Sequence, residues 1–180
     1  MLLPAGIRLH IFLVISLLGG EVSSFLSQST NTHDRSVEIS CGRNAYLKQI
    51  SSVHDETYEG REWSLSCHQS PPDIRIRDCF WSGYVHDHGE TFIYLCPGDT
   101  IVNGLRSVYT NYNGDRRWNV QCCLIRRRRR NDCYFTQYIN ELNSPFGFTV
   151  PPGRFIHGIH SIYDAGARDR VYAYDVCQFV

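Results

Sequence analysis

Two features of this 180-residue sequence gather residue types that act through charge and ring faces. The first is Arg126–Arg130, five arginines in succession. Adjacent guanidinium groups repel, so the segment is expected to be exposed and flexible. Sulfate groups would relieve that repulsion by bidentate contacts, which makes anionic glycans such as glycosaminoglycans the matching partner. A solvated loop without a role reads equally from the same residues, and a processing site cut after Arg130 by a secretory-pathway endoprotease is a third reading. The second feature is an Asp-Arg-x-aromatic figure. It stands as Asp115-Arg116-Arg117-Trp118 and Asp169-Arg170-Val171-Tyr172, with Gly60-Arg61-Glu62-Trp63 as its first, altered copy. Structurally, the aromatic would pack in the core while arginine and aspartate hold the hairpin by a charge-assisted pair. Functionally, Arg61, Asp115, Arg116, Asp169 and Arg170 would form one sugar site per copy, because aromatic faces stack on sugar rings and charged groups bind hydroxyls or sulfates. Repetition serves packing and multivalent binding alike.

Other chemistry finds less support. His86-Asp87-His88 and the pair His157 and His160 invite a metal reading. Residues three apart on a strand face opposite ways, however, and zinc needs three or four convergent ligands. The acidic stretch Asp55–Glu59 reads as a solvated turn, with loose calcium binding or sulfation of Tyr58 as rivals. No Gly-x-Ser-x-Gly elbow occurs, and eight cysteines form an even set with no thiol left over. Asn143-Ser144-Pro145 is not a glycosylation acceptor. The sequence predicts neither an enzyme nor a bound metal or cofactor, and no nucleic-acid partner.

The elements that would position these residues are strands. The anchors Trp63, Trp118 and Tyr172 lie 55 and 54 residues apart, a spacing that marks a repeat. Around them Tyr46–Val53 with Glu62–Cys67, Asp99–Tyr109 with Arg117–Leu124, and Arg154–Tyr163 with Arg170–Phe179 alternate as three hairpins. Val37–Cys41 adds a strand. Cys79–His86 with Thr91–Cys96, and Cys133–Asn140 with Phe146–Val150, read as two further hairpins. Residues 68–78, with Pro71-Pro72, read as a connector. No long segment keeps a helical period with caps. The expectation is an all-β, three-repeat, pseudo-threefold arrangement of small antiparallel sheets, prism-like, with a β-trefoil as the alternative.

The eight cysteines point to an oxidising compartment. Ile11–Gly20 is apolar, is preceded by Arg8 and followed by small residues, and is too short to span a bilayer. Residues 1–24 therefore read as a signal peptide, 25–35 as a flexible mature terminus, and 36–180 as the domain carrying the repeats. That organisation makes the mature protein secreted, with no membrane insertion. Formal charge is zero, so the net field favours no partner.

With Asp115-Arg116-Arg117-Trp118 leading into Cys122-Cys123, and echoes on either side, the chain resembles the dermatopontin family from about Cys41 to its end. The resemblance implies a secreted extracellular-matrix protein that binds proteoglycans and collagen, or a lectin-like agglutinin of cell surfaces, in adhesion or matrix assembly. A structural protein binding collagen or mineral without sugar recognition is the alternative. The family pattern also implies the bridges Cys41–Cys67, Cys79–Cys122, Cys96–Cys123 and Cys133–Cys177, with one family bridge missing altogether. Tyr172 and Gly60 depart from the family's tryptophan and aspartate. From spacing alone, Cys96 can close a loop like that of Cys41–Cys67 with either Cys122 or Cys123, each loop worth roughly 3–4 kcal/mol.

Overall fold

The computed structural model describes residues 25–30, 35–58, 60–112 and 114–180. The expected signal peptide, Glu59 and Asn113 lie outside the described residues. The strands are β1 (Phe25–Thr30), β2 (Val37–Ser40), β3 (Ala45–Asp55), β4 (Gly60–Gln69), β5 (Ile76–Tyr84), β6 (Phe92–Leu95), β7 (Thr100–Thr110), β8 (Asp115–Ile125), β9 (Arg130–Phe135), β10 (Phe146–Thr149), β11 (Phe155–Asp164) and β12 (Asp169–Phe179). No helix occurs among the described residues.

The three anchor hairpins, β3–β4, β7–β8 and β11–β12, are each the centre of a separate four-stranded antiparallel sheet. Sheet orders are β1-β4-β3-β10, β5-β8-β7-β2 and β9-β12-β11-β6. The four-residue edge strands are exchanged. β2 precedes the first hairpin yet pairs with β7 of the second. β6 precedes the second yet pairs with β11 of the third, and β10 precedes the third yet pairs with β3 of the first. The expected hairpins at 79–96 and 133–150 are therefore not formed. Their two arms are pulled into different sheets, because each central hairpin has two open edges whose backbone groups need partners. Residues 25–30, expected to be part of a flexible terminus, pair along β4 and fill the remaining edge of the first sheet. Their Ser/Thr-rich composition carries no strand signal, so the partner edge determines their conformation.

Each hairpin bulges at the same place: Lys48 in β3, Asn103 in β7 and His157 in β11 are extra residues in the outgoing strand. The bulge carbonyls accept from edge segments. Cys41 N–H donates to Asn103 O and Cys96 N–H to His157 O, at 3.0 and 2.9 Å, and Val150 N–H donates to Lys48 O at 2.9 Å. Bulges break the pairing register and re-aim the chain, and here they dock the strand that crosses from a neighbouring repeat.

Four bridges staple the sheets. Cys41–Cys67 and Cys133–Cys177 are as expected, but the adjacent pair is used the other way round: Cys79 bonds Cys123, and Cys96 bonds Cys122. Successive strand residues face opposite sides of a sheet. Cys123 lies opposite Cys79 in the β5–β8 ladder, whereas Cys122 points into the main core beside Cys96. Two bridges then span 26 residues and two span 44. The third sheet has no counterpart of the 26-residue bridge. In its place Val150 and Val176, the same distance apart in sequence, are both fully buried in the core. Val150 makes the same bulge contact as Cys41 and Cys96, so a pair of valines occupies the place equivalent to the two 26-residue bridges. The double substitution Val150→Cys/Val176→Cys should form a fifth bridge, visible as loss of free thiol on oxidative folding, and raise stability by about 3–4 kcal/mol in denaturant unfolding.

Candidate functional site

All three hairpins turn at one end of the molecule, and the motif residues meet there. Trp63, Trp118 and Tyr172 are buried and edge-packed on one another, with ring centroids 4.9 Å apart for Trp63–Trp118, 5.2 Å for Trp63–Tyr172 and 6.4 Å for Trp118–Tyr172. Edge-to-face rings of this kind add about 0.5–1.5 kcal/mol each beyond their buried area. Burial raises the Tyr172 hydroxyl to about 12, so it is neutral across the physiological range. The three rings close a shared core.

The charged half of the motif is also interior, with Arg61, Asp115, Arg116, Asp169 and Arg170 all 5% exposed or less. Its pairs do not hold one hairpin, as the sequence reading had it, but link different ones. Arg61 of the first grips Asp169 of the third through Nε and Nη2, both at 2.6 Å. Arg170 of the third grips Asp115 of the second through Nε at 2.6 Å and Nη2 at 2.8 Å. These are bidentate clasps between sheets. Each aspartate also fastens a loop, since Asp115 accepts from Gly89 N–H at 2.7 Å and Asp169 from Asn143 N–H at 2.8 Å. Arg61 adds a bond to Ser144 O at 3.1 Å. Arg116 makes the equivalent carbonyl contact, donating to Arg35 O at 2.9 Å, and reaches Ser107 Oγ at 2.8 Å. Where the other copies carry aspartate, the first carries Gly60.

The protonation states fit this role. Burial alone would raise the Asp115 carboxyl, but Arg170's hydrogen bonds and charge, with the Gly89 and Arg116 N–H groups, hold it below its usual range. His86 packs flat on Phe92 and accepts the Trp118 N–H at Nε2. Burial lowers it to about 4.

The basic run lies at the opposite end, where the hairpins begin and finish. It is exposed, but its backbone is tied: Arg129 exchanges two hydrogen bonds with Val180, and Arg130 pairs with Phe179 as the first residue of β9. The bond after Arg130 thus lies within a paired strand. The five side chains diverge. Arg130 reaches into the third sheet, donating to His157 Nε2 at 2.6 Å. Arg129, with Arg127 and Arg128, lines a shallow depression beside Asp99. Arg126, Arg127 and Arg128 line an open groove of about 780 Å³ together with Arg43, Arg75 and Arg77. Six arginines from three chain segments thus face one surface. Asp73, bound to Arg128 at 2.7 Å, and Asp78, 3.8 Å from Arg126, offset part of the charge. Arg75 and Arg77 lie in the 68–78 segment, where the sequence predicts a connector and no charged site. The alternation Ile74-Arg75-Ile76-Arg77 was the available signal, since Ile74 and Ile76 are buried in a second, smaller core under the groove.

The histidine pairs do not converge on a common ion. His157 is fully buried and hydrogen-bonds Asp175 at 2.7 Å, while His160 packs near Tyr138 and Phe135. Cys133, Asp175 and Cys177 do come together, but the two sulfurs are bonded to each other. Asp55 Oδ1 caps its own turn, accepting from Thr57 and Tyr58 N–H.

Fold and surface together define an all-β, disulfide-stapled scaffold of interlocked sheets with a basic groove at one end. The chain belongs to the dermatopontin family, whose pattern, described as Dermatopontin, matches residues 31–180. It is 30% identical over 141 residues to a dermatopontin of Biomphalaria glabrata, covering 78% of this chain and 93% of that one. It is 26% identical over 157 residues to the hemagglutinin/amebocyte aggregation factor of Limulus polyphemus, covering 86% and 90%. Millepora cytotoxin-1 of Millepora dichotoma is 28% identical over 147 residues, covering 82% and 65%. No solved structure matches.

Breaking a clasp leaves a buried charge behind, so Asp115→Ala should cost about 3–5 kcal/mol in urea unfolding. Arg117→Ala, which removes an exposed pair with Asp87, should cost less than about 1 kcal/mol. Acid should weaken the fold in two stages. Between pH 6.5 and about 4 the unfolded chain protonates His86 while the folded chain keeps it neutral, so stability falls as pH falls. Asp115, held low when folded, adds a further loss at more acidic pH. A His86→Gln variant should flatten the first stage in melting temperature against pH.

Proposed function

We propose that the protein acts outside the cell in adhesion, agglutination or matrix assembly, and that it does so by holding sulfated glycosaminoglycan chains in the arginine groove. The observation that carries this reading is the convergence of Arg43, Arg75, Arg77, Arg126, Arg127 and Arg128 on one open surface. Six guanidinium groups against Asp73 and Asp78 leave a net charge of +4 on a protein whose formal total is zero. Neutrality overall with a concentrated patch favours a local, polyanionic ligand over general attraction to negative surfaces.

Guanidinium forks match sulfate oxygens two at a time and lose little hydration on doing so. Two of the arginines have carboxylate neighbours in place: Arg128 is held by Asp73, and Arg126 stands near Asp78. Less side-chain entropy is lost on binding than for a flexible basic tail. Four disulfides and a leader-like segment at residues 1–24 support a secreted protein. An aggregation factor among the relatives supports a role in joining cells or matrix components.

A second reading, docking by protein contacts as for collagen, is favoured by the third sheet. Ile93, Leu95, Ile162, Phe135 and Tyr138 are exposed along it. Free saccharide would then leave agglutination unchanged.

The test of the groove is heparin chromatography. Arg126→Ala/Arg127→Ala/Arg128→Ala should elute at markedly lower salt than the native protein while keeping its circular dichroism, and adding Arg75→Ala should lower it further. Unchanged elution would reject the groove as the binding surface.

A further inference from the structure

Cys79–Cys123 and Cys133–Cys177 are the same bridge in two repeats. Each spans 44 residues and ties an edge strand, β5 or β9, to the long strand beside it. Their surroundings differ at two positions. The bulge residue is Asn103 in the second sheet and His157 in the third. The residue two before the buried cysteine, opposite a glycine in both ladders, is Gln121 in the second and Asp175 in the third. Two carboxamides thus give way to histidine and aspartate, which are ordinary metal ligands. Cys133, Asp175 and Cys177 bring their ligand atoms within 4.8 Å of one another, the one such group among the described residues.

We propose that Cys133, Cys177 and Asp175 become a zinc site when a thiol reductant opens their bridge, with His157 orienting the carboxylate. Opening is a two-electron step. Two thiols of the reductant are oxidised to a disulfide, and the two cysteine sulfurs take up two electrons and two protons. Zinc then displaces both protons and binds the thiolates. The geometry is close to what zinc needs. Two sulfurs on one tetrahedral zinc lie roughly 3.8 Å apart, and a sulfur and an oxygen roughly 3.6 Å. Asp175 Oδ2 already stands 3.7 Å from Cys177 Sγ. The two cysteine Cα atoms are 4.1 Å apart, so side-chain rotation alone can separate the sulfurs. Arg130 donates to His157 Nε2 at 2.6 Å, and arginine cannot accept. His157 therefore carries its hydrogen on Nδ1 and gives it to Asp175 at 2.7 Å. The carboxylate keeps lone pairs for an ion while the buried histidine fixes its direction. Two thiolates and a carboxylate exceed the charge of zinc by one, and Arg130 stands behind His157 to balance it. Cys133 is exposed, which gives reductant and ion a way in and leaves the fourth position to water. The ion would take over the staple between β9 and β12.

The test is alkylation of the native protein under mild thiol reductant, with and without zinc, mapped by mass spectrometry. Cys79 is exposed as Cys133 is, so Cys79–Cys123 is a comparison within the same molecule. Zinc should remove most of the alkylation at Cys133 and Cys177 and leave Cys79 and Cys123 unchanged. Cobalt in place of zinc should give thiolate-to-metal charge-transfer absorption that zinc then abolishes. Asp175→Asn keeps both thiols and the side-chain shape, and should weaken zinc binding by about tenfold or more. Should Asp175→Asn not fold, the mapping on the native chain decides alone. Equal protection of both cysteine pairs, no protection of Cys133 and Cys177, or undiminished zinc binding by folded Asp175→Asn would overturn the site. So would a Cys133–Cys177 bridge that opens only when the whole chain unfolds.

Discussion

Arg170 gripping Asp115 and Arg61 gripping Asp169 are the contacts on which the arrangement of sheets depends. A four-stranded sheet of this size buries too little apolar surface to stand alone. Three can do so together if their inner faces meet at one place, and Trp63, Trp118 and Tyr172 supply that meeting point. Apolar rings alone would tolerate many relative positions. A bidentate pair tolerates few, and one that is buried cannot slide without exposing an uncompensated charge. We infer that the aromatic cluster drives assembly while the clasps choose which turn lies against which.

The edge strands act on the same problem from outside. Exchange of β2, β6 and β10 makes each sheet depend on backbone from a neighbouring repeat. Bulge carbonyls at Lys48, Asn103 and His157 mark where each crossing strand docks. Bridges then fix those crossings in the first two cases, and a buried valine pair stands in the third.

Much of this was legible in the sequence. Spacing of Trp63, Trp118 and Tyr172 gave the repeat, and alternation gave the three central hairpins, because both follow from local periodicity. Partnership across repeats was not legible. Arg61 and Asp169 are 108 residues apart, and nothing local distinguishes a pair within one hairpin from a pair between two. For the same reason adjacent arms at 79–96 and 133–150 looked like hairpins although their partners lie elsewhere. The choice of Cys122 for Cys96 was within reach, since only it repeats the 26-residue separation of Cys41–Cys67. The basic run was visible as a charge count. That Arg130 turns toward His157 and that Arg43, Arg75 and Arg77 share a surface with Arg126, Arg127 and Arg128 depends on tertiary folding.

The molecule has two unlike ends: hairpin turns where charge is buried to hold the sheets, and hairpin bases where charge is displayed. Hydrogen–deuterium exchange of the native protein with and without a heparin hexasaccharide tests that separation most directly. Added protection is expected at residues 43–44, 72–77 and 126–129, with none at 54–61, 109–116 and 164–170. Protection concentrated at the three turns would contradict it and return the ligand to the Asp-Arg-x-aromatic motif.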